Sequence, residues 1–387
     1  MSPSRSAAHG ARSTLRAAAG LYLHLPFCAS RCAYCTFVTS TELGLLPRTI
    51  SALCRELELL GRRSGRPIVT LYLGGGTPSL VPQDLLNQMF RVLDEHFPRV
   101  RGAEVTLEAN PDDVTEERTD AWARLGVNRV SVGVQAFCDP VLTMLNRRHT
   151  AVQAREAVEL LQRAGFSISV DLMLGLPGMS RRDLDVTISE VLRLRPGHVS
   201  VYLLETDKPH ALGRLALRRP DLFPDDDAAA RQYLTVGRAL TRAGYRHYEV
   251  SNFALPGRLA RHNLRYWRRR PVLSVGLAAH GQGGRRRWAA PEELRAYLEA
   301  VEAGRLPRAW SHGLEPQEVL RERVMLGLRL ARGIREELGE VCFEAVPAFR
   351  EKMQDFLILG HARRSEGRLR LTPRGWLVSN ELFASLW

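Results

Sequence analysis

Leu25-Pro26-Phe27-Cys28-Ala29-Ser30-Arg31-Cys32-Ala33-Tyr34-Cys35-Thr36-Phe37 sets three cysteines in a C-x3-C-x2-C spacing with no fourth nearby. A cube of four irons held by three thiolates keeps one iron open to a small ligand, an arrangement for chemistry rather than scaffolding. A structural zinc site is instead closed by four ligands, and its cysteines usually come as two C-x2-C pairs. The second pair is missing here, although His24 could complete a Cys3His set. Cys54, Cys138 and Cys342 are scattered and read as buried or incidental. A disulfide framework is therefore not expected, and a reducing cytoplasm fits best.

Working outward, the string follows a short apolar run, and from there β-branched runs alternate with amphipathic stretches, the pattern of parallel βα units. Six runs read as strands, at 21–25, 69–73, 104–108, 129–134, 167–174 and 198–203. Helices are expected near 47–62, 82–97, 114–125, 139–164 and 181–194. Such a series builds either a doubly wound sheet or a partial barrel, and periodicity does not separate them. In both, ligands gather where the βα loops converge at the C-terminal strand ends, which is where the cysteines fall. Beyond residue 204 a Pro- and Asp-rich connection at 219–227 leads to a helix expected at 228–243 and a strand-like 248–252. From about 316 the pattern is helical, with a strand at 367–372 and a final helix.

With 387 residues, 45% of them hydrophobic, the chain can build more than one core. It contains no run of about 18 apolar residues, so no transmembrane span is expected. A net charge of +13 would suit nucleic acid. Lys, however, occurs only at 208 and 352 and Arg is spread along the whole chain, so the charge reads as compositional bias and no nucleic-acid partner is expected. Residues 1–19, rich in Ser, Ala and Arg without an acid, read as a disordered extension, an organellar transit peptide being the alternative.

The cysteine string, opening with Tyr22-Leu23-His24-Leu25-Pro26-Phe27-Cys28, resembles the signature of the radical S-adenosylmethionine (SAM) superfamily. That resemblance implies a [4Fe-4S] cluster on Cys28, Cys32 and Cys35, with SAM on the open iron. The Gly74-Gly75-Gly76-Thr77-Pro78 turn after the second strand resembles the segment that receives the SAM amino group, which assigns Gly75, Gly76 and Thr77 as contacts. Tyr22, Tyr34, Glu108, Gln135, Arg147 and Asp171, at or near strand ends, are assigned to SAM on the same basis. A carboxylate accepting from ribose hydroxyls and a guanidinium holding the SAM carboxylate are chemically suited to it. Structural roles stay open for each: Glu108 as a helix cap, Asp171 as an interior partner, Arg147 as a surface residue, Tyr22 as a barrel-lining aromatic.

From about Leu21 onward the chain is more particularly similar to the branch that contains oxygen-independent coproporphyrinogen III dehydrogenase and the HemW heme chaperones. The dehydrogenase pattern asks for a cysteine at position 37, where this chain has Phe37. Arg261-His262-Asn263-Leu264-Arg265-Tyr266-Trp267 resembles the H-N-x-x-Y-W motif of the HemW family throughout. The resemblance implies heme at His262, Asn263, Tyr266 and Trp267, with His262 on the heme iron and His280 as a competing ligand. Arginine clusters at 268–270 and 285–287 flank this stretch and suit porphyrin propionates.

The expectation is an α/β fold, a partial (β/α)6 radical SAM barrel with a small, mostly helical, winged-helix-like C-terminal domain. The division expected is 1–19 extension, 20–240 barrel, 241–315 histidine-motif segment and connection, and 316–387 C-terminal domain. The implied function is a cytoplasmic heme chaperone carrying a [4Fe-4S] cluster and SAM, and delivering heme to acceptor hemoproteins such as respiratory cytochromes, with a homodimer as one option for its assembly. The alternative is an enzyme, the oxygen-independent coproporphyrinogen III dehydrogenase.

Overall fold

Parallel pairing organises the chain in the computed structural model, which describes residues 18–387. Residues 1–17, most of the expected extension, lie outside the described residues. Six parallel strands follow one another in space as in sequence: β1 (Ala19–Leu25), β2 (Ile68–Gly75), β3 (Arg99–Ala109), β4 (Arg129–Gln135), β5 (Ser167–Leu174) and β6 (His198–Leu203). The first begins at Ala19, two residues ahead of the expected start, with Ala19 fully buried.

Period two divides these strands into two faces. Leu21, Leu23 and Leu25 of β1, Leu71 and Leu73 of β2, and Val130, Val132 and Val134 of β4 are all buried on the face covered by helices. The helix Leu46–Ser64 brings Ile50, Leu53, Leu57 and Leu60 to this layer at helical spacing, and ends at Gly65 in the left-handed region (φ 48). Each such side chain contributes about 1.5–3 kcal/mol when fully buried, so this layer holds the sheet together. The alternate positions are polar: Tyr22 and His24, Thr70 and Tyr72, Thr106 and Glu108, Ser131 and Gln135, Ser169 and Asp171, Ser200 and Tyr202. That polar face is where ligands can be held.

Residues 241–315, read above as a motif segment and connection, add six strands to the same sheet. The hairpin of β7 (Arg246–Glu249) and β8 (Asn252–Ala254) lies antiparallel beside β6. β9 (Val272–Gly276) returns to pair parallel with β1 on the side away from β2. Antiparallel β10 (His280–Gly283), β11 (Arg286–Ala289) and β12 (Trp310–Gly313) complete the order β12-β11-β10-β9-β1-β2-β3-β4-β5-β6-β8-β7, a linear order with two edges, as an open barrel has. In the turn after β9, Ala278 holds a left-handed conformation (φ 54) that its side chain disfavours.

The helix expected over 139–164 is two, Asp139–Met144 and Ala151–Arg163. Asn146 turns the chain through the left-handed region (φ 56), and Thr150 opens the second helix with a capping box to Gln153. The break frees Arg147 to face the cavity described below. From Pro316 the chain forms helices and a three-stranded sheet of β13 (Ile334–Arg335), β15 (Arg368–Leu371) and β14 (Ala362–Ser365). Val324, Phe343, Phe349, Met353, Phe356 and Leu369 form an apolar cluster of its own. No helix among the described residues is long and apolar enough to cross a membrane.

Glu56 ties the helix Leu46–Ser64 to β9. Its fully buried carboxylate accepts from the Gly276 N–H and the Tyr297 hydroxyl, both at 2.9 Å. Burial pushes its pKa from 4.5 up to about 7. Between those values the folded chain binds a proton that the unfolded chain releases, so stability falls as pH rises from 4.5 to about 7. Glu56→Gln keeps an acceptor without the titration. Its melting temperature should fall less than that of the wild type between about pH 5 and about pH 7.5; parallel falls would mean that Glu56 does not titrate in this range.

Candidate functional site

The loop after β1 carries Cys28, Cys32 and Cys35 over the C-terminal ends of the parallel strands, where a cavity of about 440 Å³ opens. Tyr34, Gly75, Gly76, Thr77, Glu108, Gln135, Arg147 and Asp171 line it with the three thiols. Residues chosen from separate strand ends are thus brought to one place.

The glycine turn is required by close approach. A Cβ on Gly76 would stand 2.6 Å from the Phe27 carbonyl oxygen, and Gly75 sits at φ 110 with its Cβ position filled by the His24 ring. Thr77 fixes the same contact from the other side, its N–H donating to Phe27 O at 2.8 Å and its hydroxyl to Cys28 Sγ at 3.4 Å. Arg147 donates to Cys32 Sγ (3.2 Å), to Asn110 Oδ1 (2.7 Å) and to the Gly133 carbonyl (2.6 Å). Gln135 closes β4 with φ 69, a conformation costly for a residue with a Cβ, and this turns its side chain into the cavity.

Two carboxylates sit at the cavity base. Glu108 accepts from the Tyr72 hydroxyl (2.7 Å) and the Gly75 N–H (3.1 Å), and burial pushes its pKa up to about 7. Asp171 accepts from Ser131 at 3.2 Å, and burial pushes its pKa up to about 6. Sequence reading missed Tyr72, Ser131, Tyr202 and Asn110. Ser131 was accessible to it, because it shares the period-two face of β4 with Gln135, already singled out; no residue of β6 had been singled out, and Tyr72 stands on the opposite face of β2 from Gly75.

The thiols fit a cluster better than a single ion. Among the described residues no group of three His, Cys, Asp or Glu side chains is gathered for one metal. Zinc would draw its sulfurs to about 2.3 Å from one point, whereas a cube takes a thiolate at each of several irons. His24 is committed elsewhere, to the Tyr22 hydroxyl at 3.0 Å and the Val38 carbonyl at 2.9 Å. Position 37 offers no fourth sulfur: Phe37 stands 64% exposed at the cavity rim.

Tyr22 does not line this cavity. Its ring lies deeper in the sheet, 6.1 Å from Tyr72 and 6.4 Å from His262. The histidine motif lies at the opposite, N-terminal end of the strands. His262 is 1% exposed, its Nδ1 2.9 Å from the Thr70 hydroxyl, near the start of β2 and roughly 16 Å along that strand from Gly75 at ~3.3 Å per residue. Glu104 of β3 accepts from the backbone N–H groups of Arg261 (2.9 Å) and His262 (2.8 Å), fixing the segment to the sheet. The His262 ring packs 5.2 Å from Tyr72 and 5.4 Å from Tyr266. Its Nε2 is buried without a partner, and burial, with Arg265 nearby, pushes the imidazole pKa down to about 3. Asn263 begins the short helix Asn263–Trp267, whose last residue turns outward to a second cavity. His280 is exposed at the start of β10, its ring against Trp310.

Residues 22–191 match the Radical SAM superfamily and residues 314–378 the HemN C-terminal domain. A radical SAM family implies a [4Fe-4S] cluster and SAM, which the thiol-lined cavity fits. The structure of coproporphyrinogen III oxidase (HemN) from Escherichia coli superposes with a TM-score of 0.83, covering 97% of this chain and 92% of that one at 20% identity, a likeness of fold. The heme chaperone HemW of Mycobacterium tuberculosis is 36% identical over 95% of this chain and 94% of its own. That of Bacillus subtilis is 30% identical over 94% and 98%. Identity of this extent, running through both the sheet and the C-terminal unit, makes the chain a member of the HemW family within the radical SAM superfamily.

Proposed function

We propose that this protein is a cytoplasmic heme chaperone, which binds heme and passes it to acceptor hemoproteins such as respiratory cytochromes. The observation that carries the reading is the complete Arg261–Trp267 motif, built into the sheet by Glu104 and Thr70. Cys28, Cys32 and Cys35 hold a [4Fe-4S] cluster, and SAM lies against Gly75, Gly76 and Thr77, with Tyr34, Glu108, Gln135, Arg147 and Asp171 around it. When bound, cluster and SAM supply one-electron chemistry. The chain's own part is to orient them. Arg147 offers positive charge beside a thiolate, Glu108 and Asp171 accept from hydroxyls when ionised, and Tyr72 and Ser131 aim those carboxylates.

His262 is the proposed iron ligand. Its imidazole is neutral, the coordinating form, and its Nε2 has no partner in the fold. At 1% exposure it reaches iron only when the packing of Tyr22, Tyr72 and Tyr266 around it opens. Asn263, Tyr266 and Trp267 then supply the polar and flat apolar contacts, and association of two copies is part of the same proposal. The enzyme reading, oxidative decarboxylation of coproporphyrinogen III, draws on one observation, the completeness of the SAM cavity.

Anaerobic heme titration of cluster-loaded protein, followed by Soret absorbance, separates the two when coproporphyrinogen conversion is assayed on the same samples. Saturable binding without conversion is expected. His262→Ala should weaken it at least about tenfold, since even an outer-shell partner of a metal typically costs 10–100-fold, while leaving iron and sulfide unchanged. SAM-dependent conversion with heme binding unaffected by the substitution would return the protein to the enzymes. Cys32→Ser should abolish the broad visible absorption of the cluster and its iron content; retention of both would remove the cysteine assignment.

A further inference from the structure

A cavity of about 930 Å³ opens between the outer side of the helix Asn263–Trp267 and the C-terminal unit. Eight arginines line it and no acidic residue does. One wall, from β7 and the turn after the motif, presents Arg246, Arg268 and Arg270; the other, from the C-terminal unit, presents Arg332, Arg335 and Arg368. Arg269 is neutralised by Glu322 at 2.7 Å, but among the described residues none of these six has a carboxylate within ion-pair distance. Like charges facing each other across a cleft repel. Burial lowers the Arg368 pKa, and the charges of Arg332 and Arg335 push it the same way.

The floor between the walls is apolar: Leu255, Leu259, Leu264, Trp267, Leu330 and Ile334. Burial pushes the Glu249 pKa up, and the Trp267 indole N–H, facing that buried carboxylate, works against the rise, which leaves the ring itself as Trp267's contribution to the floor. A volume near the upper end of small-molecule pockets, an apolar floor that includes the Trp267 indole and two cationic walls suit a large planar ligand with carboxylates at its edge. Phosphates satisfy the arginines but not the floor, and a fatty acid matches the floor but offers one carboxylate for two walls.

We infer that this cleft is a tetrapyrrole-docking site, with the macrocycle on Leu264 and Trp267 and its propionates on the arginine walls. The inference rests on the heme-chaperone reading and adds where the ligand is received. The cleft lies on the outer side of the helix that follows His262, so the motif presents its tryptophan to an arriving ligand while its histidine remains inside. Guanidinium groups take carboxylates in bidentate pairs, which would orient the propionate edge and offset the repulsion between the walls.

The test uses the full chain with its cluster loaded and compares wild type, His262→Ala, the triple variant Arg246→Gln/Arg268→Gln/Arg270→Gln, and the triple variant Arg332→Gln/Arg335→Gln/Arg368→Gln. Each is titrated with heme and with heme dimethyl ester, in which the carboxylates are blocked. Each triple variant should lose roughly tenfold or more in heme affinity, the sum of three modest ion pairs, with cluster content and melting temperature unchanged. The ester should bind wild type and both triple variants alike. Wild-type heme affinity in both triple variants, with loss only in His262→Ala, would overturn the cleft and leave the chaperone reading standing. Equal losses for heme and ester would also overturn it, since the arginines would then not act on carboxylates. No heme binding by the wild type would remove the chaperone reading itself.

Discussion

Parallel pairing of β1 on both sides, with β2 and with β9, is the constraint on which the arrangement of the molecule depends. A parallel neighbour cannot be reached by a tight turn, so the chain must travel back to the strand's starting end. β8 runs antiparallel to β6 and finishes at Ala254, opposite His198, at the N-terminal end of the sheet. β9 begins at Val272, opposite Gly20, at that same end. Residues 255–271 therefore have to cross the N-terminal ends of the strands, and the histidine motif lies within this crossing. The cysteine loop, leaving the other end of β1, is as firmly committed to the C-terminal side.

Between the two ends runs a polar interior that has to be satisfied by its own members, since an unpaired buried polar group costs several kcal/mol. Thr70 meets His262, whose ring packs on Tyr72; Tyr72 donates to Glu108; and Glu108 accepts from Gly75 in the glycine turn. These contacts form a continuous path from the motif to the thiol-lined cavity. Burial pushes the pKa of its carboxyl group, Glu108, up to about 7 and that of its histidine down to about 3. On this path His262 Nε2 is left without a partner.

Charge acquires meaning only when it is located. An excess of arginine over the whole chain says little about partners, and many of these guanidinium groups lie in ordinary surface ion pairs such as Arg48 with Glu302 and Arg181 with Asp185. Pairs of this kind contribute little to stability. The arginines gathered in the cleft beside Trp267 differ because the lining contains no acid to answer them.

By itself the sequence determined the six parallel strands, the cysteine loop at their C-terminal side and eleven of the residues that line the cavity there. Those signals are local: a run of apolar residues, a spacing of thiols, a polar residue at a strand end. It missed the break that frees Arg147, although Asn146 and the Thr150 capping box mark it, because amphipathic periodicity continues across the gap. Tyr22 shows that depth is not legible in sequence, since a residue of the strand that leads into the cysteine loop has its ring inside the sheet, against Tyr72 and His262. Only the tertiary structure decided that β9 lies against β1, that His262 is enclosed at the far end from the cysteines, and that arginines from residues 246 to 368 share one cleft. Each of these is a pairing between segments far apart in the chain, settled by which strand edge is available and which polar group still needs a partner, and neither condition is written in local sequence.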